Sequence, residues 1–330
     1  MLVNTLKSNQ PFVIVLILLT GISLWIFSFI DSVAISIPSD QLYSPFYNFI
    51  NNHIDYNSFL SAFITLILVL LQAFILVQFN KKHILINYRT YLPAYFYLLV
   101  SSSFVQLHRL NPVIIGTVFV FISINFLFNT YRTDYALNKI YLAGFFISVA
   151  SLFWAPLAIF ILLIWISLLI LRPFIGREWL VGLLGFLTPF LFIFVFYYVF
   201  TGDQLDALLS SFLESFAFAK GLKSLHFTYY IFYGFLSLIL LLASYTIVAN
   251  YQKKKIKNRK YFEINWWFFI LSLGLFLIFK NVTYEIIYLI TIPISFLLTD
   301  YFYTIRKAWY LNAVLIVFYS ALVYIQITAH

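Results

Sequence analysis

Charge and cysteine are both scarce in this chain. Only 9% of its 330 residues are charged, against about 25% in soluble proteins, which excludes a water-soluble globular chain. The absence of cysteine excludes disulfides, thiolate metal sites and cysteine nucleophiles. Lys and Arg are missing from residue 8 to residue 80. No apolar run carries an ionisable side chain near its middle, and the polar groups inside the runs are neutral: Gln72, Ser101 to Ser103, Asn125, Thr188 and Asn312. Ion-coupled transporters and pumps place carboxylates, histidines or broken helices at that depth, so the pattern argues against secondary transport.

Apolar residues are abundant. They make up 63% of the chain, in continuous runs near 20 residues such as ITLILVLLQAFILVQF. That length matches a hydrocarbon core of about 30 Å, and the runs lack the alternation of a membrane β-barrel. The expected fold class is therefore all-α, a polytopic helical membrane protein. The first run, Pro11 to Ile30, is too long for a signal-peptide core and no small-x-small site follows it, so it should remain as a span. Eleven spans are expected, at roughly 11–30, 59–79, 91–106, 113–128, 140–154, 156–171, 179–200, 228–249, 265–280, 285–301 and 309–326. The fifth and sixth are separated at FWAP, where Pro156 disfavours a continuous helix.

With the N-terminus in the cytoplasm, sixteen of the twenty basic residues fall on the inner side. The outer side keeps Arg109, Lys220, Lys223 and Lys280. This asymmetry is the positive-inside pattern of a cytoplasmic (inner) membrane protein with an extracytoplasmic C-terminus. YQKKKIKNRK becomes a cytoplasmic basic loop that orients the chain and touches anionic head groups. Two outer loops are long, 31–58 and 201–227. Ser44 and Pro45 read as a helix start, with Phe46, Phe49, Ile50 and Ile54 on one face. Leu205, Leu208, Leu209, Phe212 and Phe216 recur at helical spacing, with Asp206, Ser210 and Glu214 opposite. Both loops read as amphipathic helices in the outer interface. The chain thus divides into a core, 1–227, carrying both loops, and a four-helix extension, 228–330.

Chemistry is then expected at the outer surface. It holds the carboxylates Asp31, Asp40, Asp55 and Glu285, the histidines His53, His108 and His226, and the four outer cations. An interfacial carboxylate suits a general base acting on an acceptor hydroxyl, and a cation suits the phosphate of a lipid-linked donor. Simpler roles compete. Asp31 also serves as a helix terminator, Asp40 and Asp55 as solvated or capping groups, Arg109 as a residue reaching toward head groups, and His53 and His226 as interfacial polar residues. No spacing of His, Asp and Glu forms a metal site, and no cofactor is implied. The +9 charge is accounted for by topology, so no nucleic-acid partner is expected. NVT at 281 to 283 fits a glycosylation sequon, a weak three-residue pattern.

Two stretches carry a resemblance. LNPVIIGTVFVFISINFLFNTYR is similar to the fourth span and following loop of the GT-C class of membrane glycosyltransferases. NKIYLAGFFISVASLFWAPLAIFILLIWISLLILRPFIGREWLVGLLGFLTPF resembles the fifth to seventh spans. That class, which includes protein O-mannosyltransferases and aminoarabinose transferases, uses polyprenyl-phosphate-linked sugars. The resemblance covers residues 11 to about 227. It implies a catalytic carboxylate in the first outer loop, here Asp31 or Asp40, and phosphate contacts from Arg109, His108, Lys220 and Lys223. The family's carboxylate often stands in an acidic pair; DS and SDQ replace that pair here. The chain also resembles an uncharacterised flavobacterial-type family of multi-spanning inner-membrane proteins. Two functions are therefore expected in competition. One is a glycosyltransferase moving a sugar from a polyprenyl-phosphate donor to an exported protein or envelope acceptor. The other is a non-catalytic subunit, on the same scaffold, of an inner-membrane complex for secretion, envelope biogenesis or motility.

Overall fold

In the computed structural model, residues 2–8, 10–30, 46–47, 50, 53–200, 204–218, 227–305 and 307–328 are described. The α-helices are α1 (Leu2–Lys7), α2 (Phe12–Ile30), α3 (Phe59–His83), α4 (Leu92–Ser101), α5 (Pro112–Phe128), α6 (Leu137–Phe153), α7 (Ile161–Leu171), α8 (Gly176–Phe200), α9 (Gln204–Glu214), α10 (Phe227–Ala249), α11 (Ile256–Ile278), α12 (Ile287–Thr304) and α13 (Ala308–Thr328). Short 3-10 segments run over Val105–His108, Ala155–Phe160, Tyr251–Lys253 and Tyr284–Ile286. Among the described residues the regular structure is helical, apart from one isolated bridge between Phe218 and Phe279. Seven helices there are long and apolar enough to cross a membrane. Shorter apolar helical segments cover Leu92–Ser101, Pro112–Phe128, Leu137–Phe153 and Ala155–Leu171.

Two helices occupy the centre. Every side chain of α4 is buried, as is nearly all of α12; a helix apolar all round belongs inside a bundle. The two pack on each other, α3 and α10 flank them, and α11 lies against α12 and α7. A second layer is the set α5, α6 and α8. There α6 and α8 approach closely because glycines face backbone: a Cβ on Gly144 would lie 2.2 Å from the Gly182 carbonyl oxygen, and one on Gly185 2.2 Å from that of Tyr141. Small residues at such crossings let helices pack without side chains between them.

Breaks follow from local chemistry. Pro156 has no N–H to donate, and the chain leaves α6 at Phe153, runs as a 3-10 segment over Ala155–Phe160 and re-enters α-helix at Ile161. The segment expected as a continuous span over 91–106 differs: α4 stops at Ser101. The Ser101 and Ser103 hydroxyls donate to the carbonyls of Leu98 (3.2 Å) and Val100 (2.7 Å). Such side-chain bonds compete with helix continuation, and the chain resumes only as the 3-10 turn Val105–His108.

The ends of the helices are chemically unlike. At one end lie Lys81 and Lys82 of α3, the turns 129–134 and 172–175, and the start of α11. His83 Nε2 and Asn125 Oδ1 are 2.9 Å apart, Tyr261 donates to the Phe128 carbonyl at 2.8 Å, and Arg172 pairs with Glu178 at 2.8 Å while donating to the Thr130 carbonyl. At the other end of α3, Ser58 caps the helix by accepting from the Ser61 N–H at 3.1 Å. There α3 meets the end of α2 and the turn before α5. These are called the basic end and the Arg109 end. The helix expected in the loop 201–227 forms over Gln204–Glu214, with Phe212 edge-on to Phe190 (5.6 Å) and Phe216 edge-on to Phe279 (5.7 Å). The helix start expected at Ser44 and Pro45 lies outside the described residues, as do Phe49 and residues 219–226.

Candidate functional site

The turn from Leu107 to Asn111 is the most heavily tethered stretch of the Arg109 end. Asn111 accepts from the Ile114 N–H at 3.0 Å as the cap of α5, with Pro112 in the first turn, a placement Pro favours. The Leu107 carbonyl accepts from the Tyr288 hydroxyl. The Arg109 carbonyl accepts from Asn111 Nδ2 at 3.2 Å. Leu110 donates its N–H to Ser61 Oγ (2.8 Å) and accepts from the Tyr47 hydroxyl (2.6 Å). Side chains of α3 and α12 therefore hold the backbone on either side of Arg109.

His108 is fully buried. Its Nδ1 lies 2.6 Å from Ser28 Oγ near the end of α2, and its ring stacks on Trp25 at 4.1 Å. The indole N–H of Trp25 donates to Ser102 Oγ at 3.1 Å, and Gln326 of α13 donates to the Ser102 carbonyl at 2.8 Å. This relay ties α2, the α4 exit and α13 together. It also brings the last turn of α2, three residues before Asp31, against the His108–Arg109 turn.

Arg109 is only 2% exposed, so it does not extend to the surface. Its Nη1 donates to the Ser58 carbonyl at 3.1 Å, while its Nε has no hydrogen-bond acceptor among the described residues. Neither ion pair among the described residues, Arg172–Glu178 and Lys254–Asp300, includes it. Burial pulls its pKa below the ordinary value, opposed by Tyr56 nearby. A guanidinium keeps its proton in proteins, and burying a charge without a partner is strongly unfavourable. A cation so placed is suited to receive an anion.

A cavity of about 290 Å³ is bounded by the exit of α4, α10, α11 and α12. Its walls are apolar: Val100, Leu236, Phe269, Leu273, Ile290 and Ile294 are typical. One end is an aromatic stack, with Phe104 against Tyr229 (4.1 Å) and Tyr284 (4.9 Å). Two segments join cavity and cation. Phe104 lines the cavity five residues before Arg109, and Ile287 lines it next to Tyr288, which holds the Leu107 carbonyl.

Of the residues singled out from sequence, the structure brings His108 and Arg109 together with the end of α2. Asp31, Asp40, Lys220, Lys223 and His226 lie outside the described residues. His53, Asp55 and Lys280 are exposed, whereas Glu285 is buried beside Tyr284. No group of three or more potential metal ligands occurs among the described residues. Trp25, Ser28 and Tyr288 escaped the sequence reading, and Ser102 entered it only as a neutral polar group within a run. Each is an ordinary residue within an apolar run, and its importance comes from contacts up to 224 residues away.

No curated protein and no solved structure matches the chain. A family model does match, over residues 28–330, which takes in the end of α2, the Arg109 turn and all the helices beyond: the chain belongs to the family of unknown function DUF6427.

Proposed function

We propose that this protein is an eleven-crossing, GT-C-like glycosyltransferase of the bacterial inner membrane, taking its sugar from a polyprenyl-phosphate donor at the Arg109 end. The observation that carries this reading is the buried guanidinium of Arg109, which has no carboxylate partner among the described residues. A donor phosphate would supply the missing charge in a charge-assisted, bidentate contact. The apolar cavity suits the first part of a prenyl chain. Counting the four shorter apolar segments with the seven long helices makes the eleven crossings we propose, with the basic end assigned to the cytoplasm on its charge.

In the proposed step Asp31 or Asp40 takes the proton of an acceptor hydroxyl on an exported protein or an envelope glycolipid. The acceptor oxygen bonds to the anomeric carbon as the bond to the donor phosphate oxygen breaks. That oxygen leaves with the electron pair, and Arg109 stabilises the charge that develops on it. Lys220 and Lys223 would assist from the second loop, and His108 positions the turn. No metal or cofactor enters the scheme.

A second reading, a non-catalytic subunit of an inner-membrane complex for secretion, envelope biogenesis or motility, is favoured by one feature. From Leu191 to Phe200 no residue of α8 is buried, so this aromatic half-helix is open to a helix of another protein.

The test is photocrosslinking in nanodiscs with a photoreactive polyprenyl phosphate. The unaltered protein should label, Arg109→Gln should label at least about tenfold less, equivalent to 1.4 kcal/mol of binding, and Arg109→Lys should keep part of the signal. Equal labelling of a folded Arg109→Gln protein would remove the donor site. Crosslinks from Phe194 or Phe196 to another protein, with no lipid labelling, would favour the subunit.

A further inference from the structure

At the basic end, on the opposite side of the bundle from Arg109, cations gather where almost nothing neutralises them. Tyr131 and Tyr261 meet edge-on at 6.1 Å. Lys260 and Arg132 lie over the Tyr131 ring, 5.8 and 5.5 Å from its centroid, and Lys257 lies 5.4 Å from that of Tyr261. Lys82 adjoins them, since His83 feels the charges of both Lys82 and Lys257. Lys82 Nζ donates to Asn125 Oδ1 at 3.1 Å, and Lys139 Nζ to the Asn129 carbonyl at 2.8 Å. Three cations, Arg132, Lys257 and Lys260, thus lie over one pair of rings, and Lys82 and Lys139 are bonded to neighbouring Asn125 and Asn129.

Three of the acids near this end are otherwise engaged. Glu178 is paired with Arg172, Asp300 with Lys254, and Glu263 accepts from the Tyr251 hydroxyl. Asp134, two residues beyond Arg132, is exposed and in no ion pair among the described residues. The rings steady the cations without cancelling their charge.

A second, independent feature marks the same place. Arg132 has φ 54°, a left-handed conformation that an L side chain adopts against steric resistance. The turn is held in this shape from below. The Arg172 guanidinium donates to the carbonyls of Thr130 (2.9 Å) and Thr133 (2.5 Å), and Lys139 to that of Asn129. Strain that persists because its surroundings enforce it points to a use for the residue. Here it aims an arginine across Tyr131.

We propose that the Tyr131–Tyr261 cluster is a binding site for the phosphate head group of an anionic phospholipid in the adjoining leaflet. Lys257 and Lys260 from the start of α11 and Arg132 from the strained turn would converge on the phosphate, with the tyrosines at head-group depth, where such rings are enriched. A lipid is favoured over a soluble polyanion because Lys82, Lys257 and Lys260 stand within the last or first turns of α3 and α11, both long and apolar enough to cross a membrane. The site is remote from the proposed donor site and stands whether or not that reading holds.

The test uses the full-length protein in nanodiscs with a photoreactive phosphatidylglycerol, read by which peptides become labelled. The unaltered chain should label at the 129–134 turn and the start of α11, and photoreactive phosphatidylcholine should label the same peptides several-fold less. Arg132→Gly should reduce the phosphatidylglycerol labelling at least fivefold while leaving the melting temperature unchanged or higher, because glycine relieves the left-handed strain. A merely structural arginine would give unchanged labelling, which overturns the proposal. So would equal labelling by both lipids, or complete competition by millimolar inorganic phosphate, which would assign the site to a soluble anion. Lys260→Gln should also lower labelling; if neither variant does, the cluster only orients the chain.

Discussion

Tyr97 shows how a membrane bundle settles its polar groups one residue at a time. Its hydroxyl, fully buried in α4, donates to Gln72 Oε1, and Gln72 Nε2 donates to the Ile114 carbonyl at 2.7 Å. Gln72 stands out in sequence as a polar residue inside an apolar run, but neither partner can be inferred from its position. Tyr97→Phe leaves a buried amide oxygen without its donor. We expect a loss of about 1–3 kcal/mol, read as a lower melting temperature in detergent, and near-neutral behaviour would mean that the pair is replaceable. The same limit governs the candidate site. The spans expected at 91–106 and 113–128 placed His108 and Arg109 in a tight outer turn. That Arg109 is buried, and that His108 joins Trp25 and Ser28, depended on a contact between residues 80 positions apart. The loop carboxylates were visible as composition alone.

At the level of elements, periodicity and punctuation carried most of the information. The break at Pro156 was legible because proline acts locally. The early end of α4 was not, since three consecutive serines are compatible with a helix until the hydroxyls of Ser101 and Ser103 turn back on its carbonyls. The α6–α8 crossing was also hidden: VGLLGF reads only as part of an apolar span. Its glycines are tested by substitution. Gly185→Ala puts a methyl against the Tyr141 backbone, which no side-chain rotation relieves. It should cost about 1–3 kcal/mol, the usual range for overpacking, or disturb the pairing of α6 with α8. Gly234→Ala in α10 meets nothing within 4 Å and should be neutral or slightly stabilising. Equal melting temperatures for the two variants would show that the close approach carries no weight.

For the molecule as a whole, composition points to the class, and charge asymmetry to the orientation we propose. Both are sums over the chain and survive errors in any single helix boundary. The functional account rests on that orientation. It requires the Arg109 end outside, where a lipid-linked sugar meets exported acceptors, and the Tyr131–Tyr261 end in the cytoplasm. Because the chain has no cysteine, one introduced thiol is a unique reporter. The decisive measurement is labelling of intact cells with a membrane-impermeant maleimide, comparing Asp55→Cys at the exposed start of α3 with Lys255→Cys at the exposed start of α11. The account predicts that Asp55→Cys labels in intact cells, while Lys255→Cys labels only after the membrane is opened. Labelling of both in intact cells, or of Lys255→Cys alone, would contradict it and place the Arg109 site out of reach of any extracytoplasmic donor.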